Sequence, residues 1–222
     1  MTILGIGDSS ENDTFSTTDW AKAKALGCQF GIVRATTTGA WNYTTGKPTL
    51  REDAMFPANA AKMKAAWIDI YPYIWFDPRP QLTGFEQAEY FMASIGKIGA
   101  PGNLKYVIVD VEKSGGIVYN AASLVQLKAC FETIKAAGWN AAIYTYPSGV
   151  DEFSAFADIS WMSSYPLMIA HWDVTAPRDP WPWYPRAEVI WQFTASMPGA
   201  RYGFNAKGPG YAAPRICMAV KA

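Results

Sequence analysis

Asp110 and Glu112 close an apolar run, Tyr106-Val107-Ile108-Val109-Asp110-Val111-Glu112, that reads as a buried strand. Side chains two apart on a strand share a face, so both acids would enter one space at the strand's C-terminal end. Two neighbouring carboxylates in a partly dry site cannot both ionise freely. One pKa rises, and that group becomes a general acid near neutral pH. Such pairs break glycosidic bonds. The same spacing also suits a divalent metal, or the cap of a following helix, whose N-terminal dipole favours negative charge.

The elements that must position this pair follow from short apolar runs alternating with helical patterns. Predicted strands cover Ile3–Gly7, Gln29–Ala35, Ile68–Trp75, Lys105–Glu112 and Ala141–Thr145. Between them, helices are expected over Thr17–Ala25, stopped by Gly27, then Asp53–Ala66, Phe85–Ile98 and Ala121–Ala137, stopped by Gly138. A long polar loop is expected after Ala35, and Pro72 should force a bend or an edge position. Pro166–His171 and Glu188–Phe193 then read as strands joined by the Pro/Trp-rich loop Pro177–Pro185. The expected fold class is α/β: a single-domain, incomplete TIM-like barrel, (β/α)5 followed by about three strands. Its chemistry would gather at the C-terminal strand ends.

Composition narrows the partners. The 222 residues suffice for one large core, read as one domain over residues 1–222 with no linker to a second module. Nineteen basic residues balance nineteen acidic ones, which argues against nucleic acid as a diffuse electrostatic partner. No apolar run approaches the ~20 residues of a membrane span, so no membrane insertion is expected. The N-terminus lacks the features of a signal peptide. Cys28, Cys130 and Cys217 lack metal or redox spacing and read as buried thiols. With His171 the lone histidine, a His-based metal cage is excluded. No Gly-rich phosphate loop or nucleophile elbow is present, and neither metal nor cofactor is expected.

Ten Trp, twelve Tyr and eleven Phe exceed the ordinary needs of one core, and the excess suits a cleft that stacks on sugar rings. Tyr73, Trp75, Tyr144, Tyr146 and Trp172 fall near predicted strand ends and are substrate-binding candidates, with core packing as the alternative for each. Asp77 and Asp173 follow strands and could add negative charge to the cleft or simply make turns.

The order GIGDSS, FGIVRAT, PYIWF, YVIVDVE, AAIYTY, PLMIAHW and VIWQFT, spanning about Leu4 to Phe204, resembles the lysozymes of glycoside hydrolase family 25. These are N-acetylmuramidases of bacterial cell walls. The resemblance implies an incomplete (β/α) barrel without metal or cofactor. It implies Glu112 as the general acid and Asp110 as the carboxylate that orients the substrate's acetamido group or its charge. Retention through that acetamido group is the favoured route, with a covalent enzyme intermediate as the alternative. Gln192, on the strand with Trp191, would hydrogen-bond the polar interior, and His171 would be a polar rim residue.

This chain departs from the family pattern at three cleft positions. The usual Gly-Ile-Asp-x-Ser opening would place Gly7 at the acid position, with Asp8 one residue later. Asp8 reaches the site only if the strand end shifts; otherwise it caps a turn. After the second strand the basic Arg34 is kept, but Thr37 replaces an acid, and near the C-terminus Asn205 stands where an Asp is usual. The implied activity is peptidoglycan hydrolysis between N-acetylmuramic acid and N-acetylglucosamine by a phage-type lysin acting on glycan strands. It would be made in the cytoplasm and reach the wall through a pore-forming protein or as part of a virion. The alternatives are a non-catalytic glycan-binding or structural module and a hydrolase of another N-acetylated glycan.

Overall fold

A computed structural model describes residues 5–10, 17–25, 27–113, 118–171, 189–194 and 215–219, with backbone alone for 6–9, 18, 189–194 and 215–219. It is a mixed α/β domain. The strands are β1 (Gly5–Ser9), β2 (Phe30–Asn42), β3 (Lys47–Glu52), β4 (Asp69–Trp75), β5 (Val107–Asp110), β6 (Ala141–Thr145), β7 (Leu167–Ala170), β8 (Val189–Thr194) and β9 (Arg215–Ala219). The helices are α1 (Thr17–Ala25), α2 (Phe56–Ala65), α3 (Gly84–Ile95), α4 (Ala121–Ala136) and α5 (Pro147–Phe156).

The sheet order is β1-β9-β8-β7-β6-β5-β4-β2-β3, and β1 also pairs with β2, so the sheet closes on itself. Pairing is parallel from β1 through β2 and β4 to β8. The antiparallel β9 completes the circuit between β8 and β1.

Strand alternation sorts the core into two clusters. Val107, Val109, Val111, Ile143 and Ile169 pack outward against the helices. Phe30, Ile32, Tyr71, Tyr73, Ile108, Tyr144 and Met168 fill the space inside the sheet. Within that inner cluster Phe30 stacks on Tyr71, with ring centroids 4.4 Å apart. Burying rows of such side chains on both faces is the main source of stability here.

The two glycine stops act as expected. Gly27 and Gly138 end α1 and α4 in the left-handed region, at φ 91° and 85°. Thr83 caps α3 through a reciprocal pair with Glu86, and Asn120 caps α4 with Ser123.

Three expectations are corrected. The long loop after Ala35 is instead a hairpin: β2 runs on to Asn42 and pairs with β3. Asp53 does not start α2; it precedes it, accepting from the Met55 backbone N–H at 2.9 Å. Pro72 lies in an interior strand, opposite Val33. It is tolerated because the β5 ladder begins only at Tyr73, beyond the missing donor. Between Tyr146 and Pro166 the chain forms α5 and a 3-10 turn over Ser160–Ser164.

Candidate active site

The acid pair stands at the C-terminal end of β5. Because Val109 and Val111 are fully buried on the helix side, alternation turns Asp110 and Glu112 toward the interior, above Ile108. Asp110 is buried, while Glu112 is half-buried.

The backbone around the pair is held from both sides. Phe76 N–H donates to the Asp110 carbonyl at 3.0 Å, and Val111 N–H donates to the Tyr144 carbonyl at 2.8 Å. The Thr145 hydroxyl donates to the Val111 carbonyl at 2.9 Å. Thus the ladder continues past the formal end of β5, and the two acids leave a rigid rather than a loose segment. A fixed constellation of this kind reduces the reorganisation needed during reaction.

Trp75, Asp110 and Tyr144 lie at one level on three neighbouring strands. Tyr73 and Tyr144 are buried members of the inner cluster, whereas Trp75 and Tyr146 are half-buried nearer the mouth. Burial raises the Tyr146 phenol above its ordinary pKa, opposed by Lys113 and supported by the charges of Glu152 and Glu112. Lys113 and Glu152 form a 2.5 Å ion pair beside it.

Tyr119, which sequence reasoning missed, lies just before α4. It packs on Phe153, with ring centroids 4.8 Å apart, and its hydroxyl is 3.5 Å from the Phe76 carbonyl. Burial first, then the charges of Asp110, Tyr146, Asp77 and Glu112, push its phenol far up. Tyr119 therefore stays neutral, its hydroxyl donating to the Phe76 carbonyl within the outer core cluster. A tyrosine in a loop with no periodicity carries no sequence signal for this position.

Two further cleft candidates are already engaged. Arg34 donates from Nε to Asp53 Oδ2 at 2.8 Å, and its guanidinium also bridges the same fully buried carboxylate. Asp77 is fully buried and bound by the Arg79 guanidinium, while its backbone exchanges two hydrogen bonds with the Gln87 amide. Arg79 reaches on to the Thr38 hydroxyl at 3.4 Å, linking the β4 end to β2. Asp53 and Arg79 were not anticipated, since each is identified only by its partner.

The remaining candidates are placed in part. Asp8 lies in β1, where the register against β2 shifts between Ile6 and Ser9. Gln192 pairs with Ala170 and Cys217, and His171 is half-buried just past β7. Thr37 is buried in the hairpin, opposite Arg51. Trp172, Asp173 and Asn205 lie outside the described residues. Cys28 and Cys130 are buried thiols; the Cys28 Sγ donates to the Phe30 carbonyl at 3.1 Å, and burial pushes Cys130 up to about 12. Among the described residues, no cluster of three or more His, Cys, Asp or Glu side chains could hold a metal ion, and no helix is long and apolar enough to cross a membrane.

The sheet closes on itself, and the acid pair stands at the C-terminal end of its parallel strands. The sequence matches the model of Glycosyl hydrolases family 25 over residues 8–200, and the chain belongs to that family. It is a glycoside hydrolase. No curated protein matches it by sequence.

Solved structures share the fold. A family 25 glycosyl hydrolase from Bacillus anthracis superposes with a TM-score of 0.74 at 16% identity, over 99% of this chain and 89% of that one. The lysozyme of Streptomyces coelicolor gives 0.70 at 22% identity, over 100% and 94%. The catalytic domain of an endolysin from a bacteriophage of Listeria monocytogenes gives 0.64 at 14% identity, over 99% and 94%.

Proposed function

We propose that this glycoside hydrolase is an N-acetylmuramidase, cleaving the β-1,4 bond between N-acetylmuramic acid and N-acetylglucosamine in peptidoglycan. The observation that supports the reading is the hydrogen-bonded end of β5, from which strand alternation directs Asp110 and Glu112 to one face. Glu112, the more accessible of the two, protonates the leaving glycosidic oxygen. Asp110, set deeper, orients the acetamido group of the substrate, whose carbonyl oxygen attacks the anomeric carbon from the opposite face. Water then opens the cyclic intermediate, with Glu112 as base, and configuration is retained. Trp75 and Tyr146 supply ring faces at the mouth.

The closed sheet is read as an incomplete TIM-like barrel, with five strand-helix units followed by β7, β8 and β9. In it Asp8 is the carboxylate of the first strand. The register shift in β1 inserts one residue between Ile6 and Ser9, and such a bulge re-aims the side chain beside it. The likeness to a phage endolysin and to lysozymes supports a lysin. Release through a membrane pore or delivery on a virion would bring it to the wall.

The test is the release of new reducing ends from purified peptidoglycan, identified by borohydride reduction, for wild type and Glu112→Gln. Muramic-acid ends that vanish in the variant are expected. Glucosamine ends, or equal release by both proteins, would refute the assignment.

A further inference from the structure

The face opposite the acids, formed by the N-terminal strand ends, carries a groove that the reaction does not use. Three adjoining hollows make it. The first, about 320 Å³, is lined by Lys64, Trp67 and Asn103. The second, about 340 Å³, shares Asp69 and Asn103 with it and continues to Lys105. The third, about 310 Å³, shares Lys105 and Asn140 with the second and ends at Lys135 and Tyr165. β4 has seven residues, so this groove lies about 20 Å from the catalytic mouth at ~3.3 Å per residue.

Trp67 at one end is unusual in two ways. Helix α2 finishes with Trp67 N–H donating to the Lys64 carbonyl and Ile68 N–H to the Met63 carbonyl, both at 3.1 Å. Helices α1 and α4 end with the same pair of bonds, and there the left-handed position is filled by Gly27 and Gly138. In α2 it is filled by Trp67, at φ 57°. A bulky residue is strained in that region, and such strain persists where it serves a site. The ring is also 85% exposed.

Charge points the same way. Lys64, Lys105 and Lys135 are exposed along the groove, and among the described residues that line it Asp69 is the one carboxylate. None of the three lysines makes an ion pair among the described residues. Lys105 and Lys135 each sit 5.8 Å from an aromatic centroid, over Tyr106 and Tyr165.

We propose that this groove is a second carbohydrate-binding site, which holds an acid-bearing peptidoglycan strand on the face opposite the catalytic mouth. The identity of the strand rests on the muramidase reading. Trp67 stacks on a pyranose ring, and the lysines meet carboxylates of the lactyl groups and peptide stems. A polyol-phosphate polymer would satisfy the lysines but offer Trp67 no ring.

The test is co-sedimentation with insoluble peptidoglycan stripped of attached phosphate polymers, using Glu112→Gln to prevent digestion. Adding Trp67→Gly, or Lys105→Ala with Lys135→Ala, should weaken binding at least about fivefold. Trp67→Gly suits the left-handed backbone, so the fold should be retained. With Glu112 restored, each variant should cleave a short soluble muropeptide oligomer at the wild-type rate. Unchanged sedimentation would overturn the proposal, as would weakening seen only on walls that keep their phosphate polymers. If wild type releases no muramic-acid ends from any wall, the muramidase reading fails, and the sedimentation result still decides the groove.

Discussion

The Thr145 hydroxyl donates a 2.9 Å hydrogen bond to the carbonyl of Val111, the residue between the two acids. Thr145 is fully buried, so this bond meets no competition from water. Thr145→Val keeps the shape and leaves that carbonyl short of a donor, at a cost of about 1–3 kcal/mol. Because Val111 sets the direction of both neighbours, kcat should fall more than KM rises, and Thr145→Ser should restore both. Urea denaturation read beside steady-state kinetics checks this. A variant that loses stability with unchanged kcat would separate the bond from catalysis.

Arg34 and Asp53 tie the middle of β2 to the entry of α2. Asp53 is fully buried and the Arg34 side chain 15% exposed, and the carboxylate also receives the Met55 N–H. Removing the Asp53 carboxylate takes a buried counter-charge from Arg34 and an acceptor from the Met55 N–H, at a cost of about 3 kcal/mol. Asp53→Ala is therefore expected to lower the thermal midpoint sharply. Arg34→Met/Asp53→Leu should recover most of the loss, since an apolar pair has no charge to desolvate. A double-mutant cycle by calorimetry distinguishes this outcome from simple additivity.

Gly84 marks the close crossing of α3 and α4. A Cβ there would stand 1.8 Å from the Gln126 carbonyl oxygen and 2.8 Å from the Cys130 nitrogen. Both are backbone atoms of a helix, which no rotamer change can move aside. Gly84→Ala should therefore separate the helices and cost about 3 kcal/mol, despite the usual helix preference for Ala. Gln126→Ala should be milder, as it removes only the 2.9 Å bond that the Gly84 N–H donates to Gln126 Oε1. Chemical denaturation of the two variants gives the comparison.

The acid pair and the helix stops were legible because each depends on local rules. A strand of Val107, Ile108 and Val109 alternates whatever surrounds it, so Asp110 and Glu112 had to share a face. Gly27 and Gly138 end helices by their own conformational freedom. The hairpin of β2 and β3 was hidden, because Thr36 to Glu52 is polar and its ladder is satisfied by its own partner rather than by the core. The roles of Asp53 and Arg79 were equally hidden. Arg34 meets Asp53 across 19 residues, and Arg79 meets Thr38 across 41, separations that no window of sequence spans. Tyr119 was missed for the same reason: its surroundings are assembled from β4, β5 and α5.

Glu86 offers a pH test that leaves the active site untouched. The Lys47 ammonium above all, then the Thr83 backbone N–H, holds its carboxyl down to about 2 from an ordinary 4.5. A carboxyl depressed by folding contributes stability that is whole above its unfolded pKa and lost as pH falls toward its folded one. The window here is therefore about pH 4.5 down to about 2. The side chains of Lys47 and Glu86 are 37% and 38% exposed, so solvent screening leaves only about 0.5 kcal/mol or less to be lost. Glu86→Gln should show a flatter decline of stability across that window and the same stability slope as wild type above pH 5. The measurement is the urea midpoint at half-unit pH steps. Parallel curves for the two proteins below pH 4.5 would show that the ion pair and cap contribute nothing to acid stability.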